Sequence, residues 1–159
     1  MHHPFRLFIY MFLSVLLASC ASTEKRETTG DSIAETGNYQ YDAWRLDASG
    51  GMEAINVLLD EADVLMQANA YDAAEDKLER ALRIKPEYAP AWSRLSWLAL
   101  QMDSPKRCVQ MAKRSNSFAA SDPELQSLNW SFIRTASRLL DDDETYNRAS
   151  QKIESLKAF

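Results

Sequence analysis

The chain has 159 residues, 46% of them hydrophobic and 26% charged, with a formal net charge of −5, four Gly and two Cys. That is enough apolar material for one compact, helical domain, and it excludes a basic nucleic-acid binder, a disulfide framework and a collagen-like fibre. Both histidines, His2 and His3, stand at the extreme N-terminus, so a processed chain lacks the commonest general base and zinc ligand.

The opening MHHPFRLFIYMFLSVLLASC places Arg6 before an apolar run from Leu7 to Ala18 and small residues before Cys20, with no Asp or Glu. This is the three-part build of an export signal. The run is 12 residues, short of the roughly 20 that cross a bilayer as a helix. Leu17, Ala18, Ser19 and Cys20 resemble the lipobox of bacterial lipoproteins, in which a peptidase cuts before a Cys that carries lipid. The resemblance implies a signal peptide over residues 1–19, a lipidated Cys20 as the first mature residue, and stable membrane attachment through acyl chains worth about 0.8 kcal/mol per buried CH₂. In such lipoproteins of Gram-negative bacteria Asp after the Cys favours the inner membrane. Ala21 and Ser22 here imply the periplasmic side of the outer membrane. An ordinary signal peptide followed by a spare thiol is the other reading.

Residues 20–51 read as a tether, for Gly30, Gly37, Gly50 and Gly51 all fall there among Ser, Thr and charged residues. About 30 flexible residues have an r.m.s. reach near 30 Å, enough to hold a module clear of the headgroups. Within it Tyr39, Tyr41, Trp44 and Leu46 form an aromatic cluster that must pack or expose large rings. It reads as an arm packed on the helical body, as a partner-binding element, or as a plug in the protein's own groove.

From residue 52 to 159 there is no Gly and no two-residue alternation, and good helix formers dominate. Pro86 ends one helix, while Pro90, Pro105 and Pro123 fit first-turn positions, with Ser104 and Asp122 as N-caps before two of them. Asp72 and Glu75 have the spacing of a capping box. These signals predict helices near 52–69, 72–85, 90–102, 105–116, 123–140 and 143–157, paired into three hairpins.

An offset of 34 residues relates the first two hairpins, aligning Leu58 with Trp92, Ala62 with Ser96, Leu65 with Ala99, Ala74 with Cys108, Leu78 with Ala112 and Ala81 with Ser115. With Ala74, Leu78, Ala81 and Pro86 in one unit and Trp92, Leu95, Ser96 and Ala99 in the other, the chain resembles the tetratricopeptide repeat family from about Ile55 to Ala120. A degenerate third pair follows, in which Tyr146, Ala149, Ile153 and Leu156 keep the second-helix spacing seven residues out of register. The expected fold is all-α, a solenoid of three hairpins stacked to bury a continuous core.

The resemblance implies a concave surface lined by the first helix of each pair, one that binds peptides or helices. Its residues here are Asn56, Leu59, Asp63, Met66, Ser93, Arg94, Trp97 and Gln101. Leu59, Met66 and Trp97 favour an apolar or amphipathic segment, although Trp97 equally fits packing on the next helix. Leu59 and Asp63 stand where family members that clamp a C-terminal carboxylate carry Lys and Asn, which rejects that mode. Trp92 and Trp130 follow the apolar periodicity of their helices and read as core.

Charge is uneven: Leu46 to Asp76 carries eight acidic residues and no basic one, whereas Lys77 to Arg114 carries nine basic and three acidic. Such asymmetry orients a partner or a second copy, or is an ordinary solvated surface. Lys106, Arg107, Lys113 and Arg114 form the densest basic face. Asp60, Glu61 and Asp63 were weighed as an acid and base pair without a supporting group, Asp141 to Glu144 lacks the alternation of a calcium loop, and Cys108 occupies a small, buried repeat position. No enzyme activity, cofactor or metal is expected. The expected function is a membrane-anchored adaptor for an exported or envelope protein, the alternative a permanent structural subunit of an envelope, secretion or pilus complex. Nucleic acid is not an expected partner, and self-association is.

Overall fold

The computed structural model describes residues 52–157, and all the regular structure in that range is helical. Six helices follow one another: α1 (Glu53–Gln67), α2 (Tyr71–Ile84), α3 (Ala89–Gln101), α4 (Pro105–Phe118), α5 (Pro123–Leu139) and α6 (Asp143–Lys157). They form three hairpins, α1 with α2, α3 with α4 and α5 with α6, each packed on the next, while the first helices α3 and α5 also touch. The proposed signal peptide, the lipidated Cys20 and the Tyr39 to Leu46 cluster lie outside the described residues.

Every hairpin turns through a left-handed residue: Asn69 at φ 57°, Asp103 at 51° and Asp141 at 55°. Asn and Asp enter this region more readily than other residues with a side chain. The first two turns stand 34 residues apart, the second and third 38. The four extra residues make one helical turn and lengthen α5 to 17 residues against 13 in α3. This corrects the sevenfold shift expected for the third pair. Ala74, Cys108 and Tyr146 each donate the backbone bond that opens the second helix, to Ala70, Ser104 and Asp142.

Helix starts hold a second correction. Asp122 caps α5 by accepting from the Leu125 amide at 2.9 Å. Ser104 makes no side-chain cap, since its hydroxyl donates to the Met102 carbonyl at 3.2 Å. The capping box is absent too: α2 begins at Tyr71, so Asp72 is already helical, and Glu75 is paired elsewhere.

The repeated small positions are where the helices approach most closely. Ala62, Ser96, Ala74, Cys108, Ala81 and Ser115 are all fully buried. One core cluster runs from Ile55 and Leu59 through Leu78, Leu95 and Leu98 to Leu125, Phe132 and Ala136, so the hairpins share an interior. Ala112, Ile133 and Ala149 form a smaller cluster near the C-terminal end. Trp92 and Trp130 are half-buried and pack against these clusters from outside. Trp92 also donates its indole N–H to the Pro86 carbonyl at 2.8 Å, pinning the loop between the first two hairpins.

The left-handed turns set the repeat step and are open to test. Asp103→Gly leaves stability unchanged or slightly raised, whereas Asp103→Val lowers it by about 1–2 kcal/mol, read from urea unfolding midpoints.

Candidate partner-binding surface

The first helices carry the residues expected to line the concave face, and the structure divides them. Leu59, Ser93 and Arg94 are fully buried, and Met66 is nearly so. Asn56, Asp63, Trp97 and Gln101 are half-buried.

Arg94 is occupied in holding the stack together. Its Nε donates to Asp63 Oδ1 at 2.8 Å and its Nη2 to Asp63 Oδ2 at 3.0 Å, and Nη1 reaches the Pro90 carbonyl at 3.3 Å. The fork therefore bridges α3 to α1 across the seam between hairpins. Arg94 has no exposed surface, while 22% of the Asp63 side chain meets solvent. Burial of a charge is tolerated only with such geometry.

Trp97 stands edge-on to Tyr71, with ring centroids 6.0 Å apart and planes at 80°. Tyr71 opens α2 and donates its hydroxyl to Asn69 Oδ1 at 2.6 Å, so the left-handed turn positions the ring that faces Trp97. One turn further along α3, the Gln101 Nε2 is buried and lacks a hydrogen-bond partner. The remaining surface thus combines an aromatic pair with an unsatisfied amide donor, a combination suited to an extended backbone carrying apolar side chains.

The carboxylates weighed for acid and base work are dispersed into ion pairs: Glu61 meets Lys77 at 2.6 Å and Asp63 meets Arg94. The basic face is likewise divided. Arg107 donates to both carboxylate oxygens of Glu75 in the previous hairpin, an interaction that raises its already high pKa. Arg114 lies 4.5 Å over the Phe118 ring and 5.8 Å from the Trp92 ring, while Lys106 and Lys113 are exposed.

Burial pushes the Cys108 thiol up to about 12, the Ser96 hydroxyl bond only partly opposing it. The thiol donates to the Phe132 carbonyl at 3.6 Å and is packed as a small core residue, unfit as a nucleophile. Asp142 accepts from the Thr145 amide at 2.9 Å as α6 begins, and these bonds with Thr145 hold its carboxyl below the usual range. Asp143 and Glu144 complete a negative first turn. Among the described residues there is no group of three or more His, Cys, Asp or Glu able to hold a metal, and no helix long and apolar enough to cross a membrane.

Sequence reasoning missed the polar joints between hairpins. The Asn129 amide donates to Ser115 Oγ at 2.8 Å and to Asn116 Oδ1 at 2.9 Å, and Ser115 donates to the Ala89 carbonyl at 2.8 Å, joining α5, α4 and α3. Asp63 with Arg94, and Glu75 with Arg107, lie 31 and 32 residues apart. Opposite charges spaced just under one repeat were the available signal.

Hairpins stacked at a 34-residue step define an α-helical repeat solenoid. Residues 65–129 match the family model of the tetratricopeptide repeat, and this segment is a tetratricopeptide repeat array. Among solved structures, the chain is similar to the globular C-terminal domain of LpoP from P. aeruginosa, at 25% identity and a TM-score of 0.58. The likeness covers 71% of this chain and 99% of that one, so the whole of that domain has a counterpart here. No curated protein matches.

The buried ion pair gives a direct test of the seam. Asp63→Ala leaves Arg94 uncompensated and lowers stability by about 3 kcal/mol, whereas Glu61→Ala, at an exposed pair, changes it by less than about 0.5 kcal/mol, both by chemical unfolding.

Proposed function

We propose that this protein is a lipid-anchored adaptor of the bacterial cell envelope: Cys20 holds it on the periplasmic side of the outer membrane, residues 20–51 give reach, and the repeat domain recruits an exported or envelope protein. The observation that carries this reading is the tetratricopeptide array at residues 65–129, a fold that works by offering surface to other proteins. Likeness to a globular C-terminal domain along nearly its full length supports the same division, a folded unit at the end of a chain whose earlier part serves another purpose.

Anchoring gives such a module its advantage. Confining it to a membrane surface raises the effective concentration of any client that arrives there, so a modest groove affinity suffices. The groove residues carried into this proposal are Asn56, Asp63, Met66, Trp97 and Gln101. Leu59, Ser93 and Arg94 shape the surface from beneath. Trp97 is the central contact, with Tyr71 as its fixed neighbour.

Cell fractionation tests the anchor. The unaltered protein is expected in the outer-membrane fraction and released only by detergent, while Cys20→Ala moves it to the soluble periplasmic fraction. Membrane attachment that survives Cys20→Ala contradicts the lipoprotein reading.

A further inference from the structure

We propose that the aromatic segment Tyr39 to Leu46 docks on the concave face beside Trp97 and Gln101, so that the protein carries its own ligand and a client must displace it. This rests on the reading of the concave face as the binding surface. The surface has an aromatic pair, Trp97 against Tyr71, and a buried Gln101 amide with no acceptor. An extended segment offers what both require, backbone carbonyls for the amide and rings for the pair. Tyr39, Tyr41, Trp44 and Leu46 make NYQYDAWRLD the one aromatic stretch between the export signal and the repeats.

Chain length permits the contact. Five residues separate Leu46 from Met52, and fully extended they span about 20 Å, or two interhelical spacings, so Leu46 reaches α3 and Tyr39 lies further along the face. A second observation concerns the extent of the fold. Residues 52–157 amount to two thirds of the chain, whereas the likeness to the LpoP domain covers 71% of it. Only two residues follow Lys157, so the likeness takes in sequence before Met52. A free tether has no reason to be included in it.

A tethered segment competes at the high effective concentration that its short linkage sets, which makes the groove selective for clients that bind well enough to expel it. Client binding then releases the aromatic segment into solvent, where it changes the reach of the tether.

The test places benzoylphenylalanine at Trp44 in the full-length, detergent-solubilised protein without any client. Irradiation is expected to give a product that migrates as a monomer, joining the tryptic peptide 27–45 to peptide 95–106, which holds Trp97 and Gln101. Crosslinks only between chains, or only to the outer edge of α1 at the exposed Val57 and Val64, overturn the proposal. A second measurement uses the synthetic peptide 38–47 against two full-length proteins. Binding about tenfold or more tighter to the Tyr39→Ser, Tyr41→Ser, Trp44→Ser variant than to the unaltered protein is expected, and equal binding to both, or binding to neither, overturns it. Because no client is present, failure here leaves the adaptor reading to its own experiments.

Discussion

A helical hairpin has one apolar face too many, and stacking against the next hairpin is what satisfies it. In this chain the second hairpin carries that burden from both sides, and Arg94 shows how tightly. Its guanidinium has no exposed surface and depends on Asp63 of the first hairpin for both of its short bonds. The Arg107 and Glu75 pair repeats the device between the second helices. On the other side, Ser115 and Asn129 join the second hairpin to the third through a buried polar chain. These joints are directional, so they fix how each hairpin sits on its neighbour, whereas the aliphatic core supplies the driving force.

That rigid stack is also what makes a binding surface. Trp97 is held edge-on to Tyr71, whose hydroxyl is tied to the left-handed Asn69 in the turn of the first hairpin. A recognition surface built this way meets its ligand with little side-chain entropy left to lose. The chemistry is that of docking: the carboxylates near it are ion-paired and the thiol is buried and protonated.

Much of the fold was legible in the sequence because its signals are local. Proline at the first turn, the absence of Gly after residue 51 and the 34-residue recurrence of Ala and Ser placed all six helices to within a few residues. Small residues at matched positions proved to be the close contacts, for a helix cannot approach another over a large side chain. The third pair was harder to read: one extra turn in α5 shifts every later position, and periodicity alone does not say where a turn was inserted. The caps at Ser104 and Asp72 were misread because Ser and Asp favour helix starts generally, while the true start is set by tertiary packing. The surface was legible only in part. A family pattern assigns Asp63 and Arg94 to the groove by helix face, yet opposite charges on adjacent parallel helices meet each other before they meet a partner.

The account turns on one claim, that Trp97 belongs to a surface serving another protein in the envelope. In-cell crosslinking followed by affinity purification, comparing the full-length lipidated protein with Trp97→Ala and identifying partners by mass spectrometry, tests it most directly. The account predicts a discrete envelope protein captured by the original and lost from the variant, whose helical circular dichroism is unchanged. An identical partner set from both proteins contradicts it.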